Sequence, residues 1–267
     1  MEQLIKEHGF EMPPFAAWTA KEWQDIGHEY DEIRDNKLGW DITDFGLGKF
    51  DEVGFSLFTI RNGNQKMPEK YKKTYAEKLL MLYEGQTAAM HFHASKMEDI
   101  INRGGNDVYI TVYNGTPDER MLDTDVTVCS DGKTSQVPAG TKVLLKPGQS
   151  ITITPYMYHD FIVPETGGPV LLGEVSMCND DDNDNFFYNK DVGRFPAIEE
   201  DEAPYRLLCN EYPQQNSQEA HTWNISWITD AFACWCLPAA RRCRQLKRTA
   251  RSTYGTAMKN TGQSARR

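Results

Sequence analysis

Apolar residues near the start of the chain follow a helical period. They recur every three or four positions: Trp23, Ile26, Tyr30 and Ile33. This spacing predicts a helix of about four turns that packs one apolar stripe on a core. Thr19 lies three residues before Glu22, which is the spacing of a capping box and predicts where the helix begins.

From about residue 54 to residue 175 the pattern changes to short β-branched or aromatic segments, several with alternating polarity. These segments are residues 55–60, 108–113, 126–128, 142–145 and 151–154. Turn signals stand between them: Asn62-Gly63, Asn114-Gly115, Asp131-Gly132 and Pro147-Gly148. Short strands without alternating helices predict an all-β sandwich or barrel with a helical N-terminal decoration over about residues 1–40.

Composition describes an ordinary globular chain. Of the 267 residues, 39% are hydrophobic and 25% are charged. No apolar run is long enough to span a membrane, and the first residues lack the layout of a secretory signal. Six cysteines spread over a chain of this size do not indicate a small disulfide scaffold. We therefore expect a cytoplasmic protein with no membrane partner.

Charge divides the chain unevenly. Residues 213–267 carry nine basic and two acidic residues, whereas residues 1–212 carry 20 basic and 37 acidic ones. An acidic body repels a polyanion, so nucleic acid is not expected as a partner. The acidic runs 180–184 and 199–202 are predicted to be solvated loops.

The change of charge along the chain predicts a domain boundary after residue 212. We expect one domain over residues 1–212 and a basic tail over residues 213–267. The tail is either an appended element that docks on the acidic body or a segment foreign to the rest of the chain. Disorder is predicted from about Thr249, because few apolar residues follow it.

The residues with the clearest chemistry are three histidines and a glutamate. His91 and His93 would project from the same face of a strand, because side chains alternate along it. Glu98 would lie past the end of that strand, and His159 follows a later one. Three nitrogens and one oxygen leave two positions open in an octahedral shell, which suits Mn²⁺, Fe²⁺ or Ni²⁺. A lone H-x-H pair on a strand surface is the simpler alternative.

The motif around these residues extends beyond the H-x-H pair. It reads G-x5-H-x-H-x4-E-x6-G from Gly85 to Gly105, and Pro147-Gly148, Pro155 and His159 follow downstream. This pattern resembles the two-part metal-binding motif of the cupin superfamily, and the resemblance implies a small jelly-roll barrel.

Further segments resemble the D-lyxose ketol-isomerase family between about residues 12 and 212. They are residues 36–46 (NKLGWDITDFG), 75–78 (YAEK), 90–93 (MHFH), 98–105 (EDIINRGG), 173–175 (GEV) and 179–182 (NDDD). The resemblance implies an aldose–ketose isomerase that converts D-lyxose to D-xylulose, often with activity on D-mannose and D-fructose. It also implies a homodimer and a site for Mn²⁺, with Co²⁺, Fe²⁺ or Zn²⁺ as other candidates, bound by four ligands: His91, His93, Glu98 and His159.

Four further residues are candidates for catalysis or substrate binding. Glu174 lies in the apolar segment 170–175, where a buried carboxylate would have a raised pKa and could act as the base of a cis-enediol proton transfer. Lys96 could donate to a substrate oxygen, and Asp184 and Arg194 could bind sugar hydroxyls. In the alternative interpretation, Glu174 is an outward-facing or salt-bridged residue and Lys96 an exposed lysine. A hydride shift directed by the metal also stays open.

Two other functions compete with isomerisation. A cupin dioxygenase can hold iron or nickel with the same three histidines and one glutamate. A non-catalytic sugar-binding cupin is the second alternative, although such modules often lose metal ligands. The wider segment resemblance and the polar residues around the motif favour the isomerase.

Overall fold

The computed structural model describes residues 1–197 and 202–214. The strands of this part of the chain are β1 (Gly39–Thr43), β2 (Phe55–Arg61), β3 (Tyr75–Leu82), β4 (His91–Phe92), β5 (Glu98–Gly105), β6 (Val108–Gly115), β7 (Met121–Leu122), β8 (Val126–Ser130), β9 (Lys133–Val137), β10 (Thr141–Leu145), β11 (Ser150–Ile153), β12 (Met157–His159), β13 (Val170–Met177) and β14 (Phe186–Phe187). Each of the five predicted strand segments falls largely or wholly in one of them.

The strands form two antiparallel sheets. One has eight strands in the order β1-β2-β3-β13-β5-β11-β8-β9. The other has the order β10-β6-β12-β4-β14, with β7 paired to β6. Buried apolar residues of both sheets meet in one cluster, to which Leu80, Ile100 and Leu172 contribute from the first sheet and Val112 and Met157 from the second. The prediction of an all-β body with a helical N-terminal part is confirmed.

The turn signals were correct at some positions and wrong at one. Asp131 and Gly132 join β8 to β9 with positive φ values of 50° and 79°, as a tight hairpin requires. Asn114-Gly115 is not a turn, because both residues belong to β6. Asn114 pairs with Leu122 of β7, and its side-chain amide donates to Thr124 Oγ1 at 2.9 Å. Pairing with a short neighbouring strand therefore extends β6 through the predicted turn.

The predicted four-turn helix after Thr19 is wrong. The N-terminal region instead has the α-helices α1 (Glu2–Glu7) and α2 (Asp31–Asp35) and three 3₁₀ turns at Pro14–Ala17, Glu22–Asp25 and His28–Tyr30. The capping box does form, since the Thr19 amide donates to Glu22 Oε2 at 2.8 Å and the Glu22 amide to Thr19 Oγ1 at 3.3 Å.

The helix is interrupted at Ile26 and Gly27, whose backbones are extended with ψ of 116° and −174°. The Arg34 guanidinium donates to two carbonyls at this interruption, Ile26 O at 2.6 Å and Gly27 O at 3.0 Å, and Gly27 O also accepts from the Tyr30 amide at 3.3 Å. Trp23 and Ile33 are still buried as the apolar pattern predicted. The Arg34 side chain thus contributes hydrogen bonds where the helix is broken.

The last described residues pack on this N-terminal region. The Tyr212 ring stacks on Trp23 with centroids 3.9 Å apart, and its hydroxyl donates to Leu38 O at 2.7 Å. Gly39 adopts φ of 110°, and a Cβ there would lie 1.9 Å from the Tyr212 hydroxyl oxygen, so this position requires glycine. Arg34 Nε also donates to Pro213 O at 3.2 Å. The chain up to residue 213 therefore belongs to the same body.

Three predictions concern residues that the structure does not describe. They are the basic tail beyond residue 214, the disorder predicted from Thr249, and residues 199–201 of the second acidic run. Across residues 1–197 and 202–214, none of the helices has the length and apolar character needed to span a bilayer.

Candidate active site

Three buried histidines meet at the inner face of the smaller sheet. His91 of β4 lies directly opposite His159 of β12 in the antiparallel register. His93 follows two residues after His91 and so points to the same side. The ligand atoms of the three imidazoles lie within 4.8 Å of one another, and all three residues are at most 9% exposed. The structure therefore brings together the three histidines that the sequence singled out.

Backbone carbonyls fix the tautomer of each imidazole. The Nδ1 atoms lie close to three of them: His91 to Ala89 O at 2.8 Å, His93 to Asp184 O at 2.8 Å and His159 to Met157 O at 3.0 Å. A carbonyl can only accept, so Nδ1 carries the hydrogen and a neutral ring keeps its lone pair on Nε2. Such second hydrogen bonds orient metal-binding histidines in proteins.

The electrostatic environment keeps two of these rings neutral. Burial lowers the pKa of His91 well below its usual value, and the neighbouring His159 and His93 lower it further. Burial and the Lys96 ammonium likewise lower the pKa of His93. His159 Nε2 is fully buried and makes no hydrogen bond within the described residues. A buried nitrogen with a free lone pair fits a metal ligand.

Glu98 completes the cluster from the opposite sheet. It is the first residue of β5, and its Oε1 lies 3.5 Å from His93 Nε2 and 3.2 Å from His159 Nε2. Burial would raise its pKa, but Lys96 and His93 outweigh that effect and hold the pKa well below its usual value. Three imidazole nitrogens and one ionised carboxylate form a donor set suited to a divalent transition metal.

Lys96 lies in the segment between β4 and β5 and is buried. Its Nζ is 2.6 Å from Glu98 Oε2, 3.0 Å from Glu174 Oε1 and 3.2 Å from Asn179 Oδ1. Burial would lower the pKa of this ammonium, but the carboxylates of Glu174 and Glu98 raise it. The alternative of an exposed loop lysine is wrong.

Glu174 of β13 is buried beside Lys96, but its environment is not the apolar one expected from its strand. Its Oε1 also lies 3.3 Å from Lys78 Nζ and accepts from Ser176 Oγ at 3.0 Å. Sequence reasoning missed Lys78, which is 3% exposed and pairs with Glu174 across β3 and β13. A lysine directly before the apolar run of residues 79–82 was the available signal.

Asp184 and Arg194, the two residues predicted to bind sugar hydroxyls, have different hydrogen-bond partners. Both carboxylate oxygens of Asp184 accept backbone amides of residues 94–96, so this side chain faces the protein backbone. Arg194 Nη1 forms an ion pair with Asp41 Oδ2 at 2.6 Å, and Nη2 lies 3.4 Å from Asp181 Oδ2.

Asp181 is a second residue that sequence reasoning missed. Burial would raise its pKa, but the positive charges of Lys78, Arg194 and Lys96 hold it well below its usual value. The prediction that residues 180–184 form a solvated loop is therefore wrong in part. Asp181 and Asp184 turn inward, whereas Asp182 is exposed.

Most of these groups line one cavity. Six of the eight predicted site residues line it: His91, His93, Lys96, Glu98, Glu174 and Arg194. Aromatic rings, including Phe45, Phe161 and Phe187, line it as well. The cavity thus offers a possible metal position, ionised groups and apolar surface to one small polar ligand.

A family model of D-lyxose isomerase matches residues 1–212. The chain belongs to the D-lyxose isomerase family. As a member of this family, the protein is a sugar aldose–ketose isomerase. The alternatives of a cupin dioxygenase and a non-catalytic sugar-binding cupin are therefore not retained.

Two curated relatives are similar over most of their length. A D-lyxose/D-mannose isomerase of Escherichia coli O157:H7 is 44% identical over 214 residues, which cover 79% of this chain and 93% of the relative. One of Serratia proteamaculans is 46% identical over 202 residues, which cover 75% and 88%. Among solved structures, the ligand-free L-ribose isomerase of Cellulomonas parahominis matches with 16% identity, a TM-score of 0.45 and coverage of 71% and 88%.

Proposed function

We propose that this enzyme interconverts D-lyxose with D-xylulose and D-mannose with D-fructose, with Mn²⁺ bound by His91, His93, His159 and Glu98. The observation that carries the metal proposal is the tautomer of the histidines. Each Nδ1 is committed to a carbonyl, so the Nε2 lone pairs remain for an ion beside the ionised Glu98. The names of the two curated relatives support the choice of sugars.

Mixed nitrogen and oxygen ligands with open positions favour Mn²⁺ over a closed tetrahedral zinc site. A divalent ion held by these four residues would polarise the sugar carbonyl and stabilise the negative charge that develops on the substrate oxygens. Co²⁺ or Fe²⁺ could replace Mn²⁺ with the same donors. Metal analysis of the protein as purified distinguishes these ions.

Glu174 is the proposed proton carrier. It removes the proton from C2 of the aldose and returns it to C1, while the proton on O2 moves to O1, so that the aldose becomes the ketose without any redox partner. Lys96, Lys78 and Ser176 lie 3.0, 3.3 and 3.0 Å from Oε1. The second oxygen is therefore the one proposed to take up the proton.

The remaining charged groups bind and orient the sugar. Lys96 has an Nζ donor at the centre of the cavity and is proposed to donate to a substrate oxygen near the reacting carbons. Arg194 and Asp181 present a donor and an acceptor in the same cavity, which suits sugar hydroxyls. These contacts would place C1 and C2 within reach of Glu174.

The test is ketose formation by metal-stripped and Mn²⁺-reloaded enzyme without oxygen, over D-lyxose, D-mannose, L-ribose and D-xylose. We expect D-lyxose and D-mannose to react and Mn²⁺ to restore turnover. Deuterium at substrate C2 should exchange at least partly with solvent. Absence of ketose from both sugars would overturn the function, and quantitative transfer of deuterium to C1 would replace the proton transfer by a hydride shift.

The predicted homodimer and cytoplasmic location stay predictions. Sedimentation equilibrium of the full-length chain tests the first, because a dimer doubles the mass of 30.5 kDa. Fractionation of cells that express the chain tests the second.

A further inference from the structure

The short segment between β4 and β5 carries much of the active site. Residues 94–97 have no regular secondary structure, yet they separate His93 from Glu98 and include Lys96. A connection without helical or strand hydrogen bonds needs other partners for its amides when it is buried. Three consecutive amides of this segment find one partner outside it.

That partner is the carboxylate of Asp184. Its Oδ1 accepts from the amides of Ala94 at 2.9 Å and Ser95 at 3.0 Å, and its Oδ2 accepts from the amide of Lys96 at 3.0 Å. Successive amides that converge on an anion form a concave binding site for negative charge. Hydrogen bonds to an ionised acceptor are also stronger than those between neutral groups.

Asp184 contacts the histidine cluster through its backbone as well. Its carbonyl oxygen accepts from His93 Nδ1 at 2.8 Å, which sets the orientation and tautomer of that ring. Asp184 is itself fixed, because its amide donates to Asp180 O at 2.9 Å and the following strand β14 pairs with β4. One buried residue thus holds both the segment and its preceding histidine.

We propose that Asp184 is a positioning residue whose carboxylate holds residues 94–97 closed, so that His93, Lys96 and Glu98 converge. Without the carboxylate, three neighbouring amides would lose their acceptor, and the segment would open to satisfy them. The ligand atoms on either side would then separate. This inference rests on the proposed metal site but assigns Asp184 no contact with metal or sugar.

The first measurement is Mn²⁺ affinity of the full-length protein by calorimetry. We expect Asp184→Ala to raise the dissociation constant by about 10–100-fold, as removal of outer partners of metal ligands typically does. The dissociation constant of Asp184→Asn should lie between those of the wild type and Asp184→Ala. The remaining side-chain oxygen can still accept a hydrogen bond, whereas the NH₂ group faces an amide donor. Asp182→Ala is the matched control, since this aspartate lies on the same turn but makes an exposed ion pair with Lys37.

The second measurement needs no metal. Amide hydrogen exchange of residues 94–96 in the metal-free protein should accelerate at least about tenfold in Asp184→Ala, while amides of β3 and β13 stay as slow as in the wild type. A variant that was merely less stable would accelerate exchange in the strands as well. If Asp184→Ala does not fold, Asp184→Asn carries both measurements.

Unchanged Mn²⁺ affinity together with unchanged exchange at residues 94–96 would overturn the positioning role. Wild-type protein that binds no Mn²⁺ would instead overturn the proposed metal site, and exchange alone would then decide whether Asp184 holds the segment. Loss of affinity in Asp182→Ala equal to that in Asp184→Ala would also overturn the inference, because the effect would belong to the charge of the turn.

Discussion

The two sheets line the same cavity with different kinds of side chain, and we call these two linings the histidine wall and the charged wall. The smaller sheet supplies histidines whose orientation is set by nearby backbone, since His91 and His159 each donate to the carbonyl two residues earlier. The larger sheet supplies charged side chains that orient one another. Glu174 there contacts Lys78 and Lys96, which lie far away in sequence.

This difference has an energetic consequence. A histidine held by its own backbone loses little when a neighbouring side chain changes. A charge held by an opposite charge leaves its partner buried and unpaired when it is removed, which typically costs several kcal/mol. Substitutions of the histidines and of Glu98, the metal ligand that the larger sheet supplies, should therefore act mainly on metal binding, and those of Glu174 and Lys78 on turnover and stability.

The largest effect is expected on the histidine wall. His93→Ala should abolish stoichiometric Mn²⁺ binding and lower turnover by more than about 10³-fold, because metal charge stabilisation contributes several kcal/mol. Metal analysis and ketose assays measure both quantities. His28→Ala, which changes a histidine whose side chain is 60% exposed, is the control. Full activity in metal-free His93→Ala would refute the site.

Glu174→Gln tests the charged wall. The amide keeps the size of the side chain but cannot accept the proton, so kcat should fall by at least about 10²-fold while Mn²⁺ affinity is retained. Glu77→Gln is a matched control, since Glu77 lies on β3 and pairs with Arg61 at the surface. Wild-type turnover in Glu174→Gln would exclude this residue as the proton carrier.

Lys78→Met should have a smaller effect on turnover. It removes one of the two ammonium groups that form ion pairs with Glu174 Oε1, so kcat should fall by about tenfold, which corresponds to about 1.4 kcal/mol in the activation free energy. Mn²⁺ affinity should not change. Lys142→Met on the exposed face of β10 serves as the control. A large loss of metal binding in Lys78→Met would contradict the separation of the two walls.

Asp181→Asn should affect stability in a pH-dependent manner. The pKa of Asp181 is held well below its unfolded value, so its ionised form stabilises the fold above about pH 3.9. Urea denaturation at neutral pH should show a loss of about 1–3 kcal/mol in the variant. The difference in unfolding free energy between the wild type and the variant should decrease as the pH falls below about 3.9. A constant difference down to pH 2 would contradict this role of Asp181.

The smallest effect is expected from removal of residues 215–267. Both walls lie within the residues that the family model matches, and Pro213, whose carbonyl Arg34 binds, is retained by this cut. Isomerase activity and Mn²⁺ affinity should stay within about twofold of the full chain, an effect within ordinary surface variation. Loss of folding would show that the tail belongs to the working enzyme.

The histidine wall was predictable because its geometry is local. The alternation of a strand puts His91 and His93 on one face, and the motif spacing adds Glu98. The charged wall was only partly predictable. Lys78 becomes an active-site residue through its register with Glu174, and pairing between strands about 95 residues apart leaves no local pattern.

The errors also have physical causes. The apolar spacing after Thr19 is helical, but the backbone at Gly27 is extended, and its carbonyl accepts from Arg34 and from the Tyr30 amide instead. Asp181 and Asp184 were interpreted as solvated because a run of acidic residues usually is. Burial of a carboxylate depends on cations and amides supplied by distant segments, which composition alone does not show.

One row of the smaller sheet determines where this enzyme can tolerate changes in length. Phe187, His91, His159 and Val112 lie side by side across four neighbouring strands. Extra residues in connections away from the cavity leave this row unaltered, whereas the connection 94–97 carries Lys96 and separates His93 from Glu98. A single inserted residue inside β12 would turn His159 toward the outer face, because side chains alternate along a strand. Protein engineers can therefore graft loops at connections away from the cavity, but not lengthen residues 94–97 or insert single residues into the short central strands.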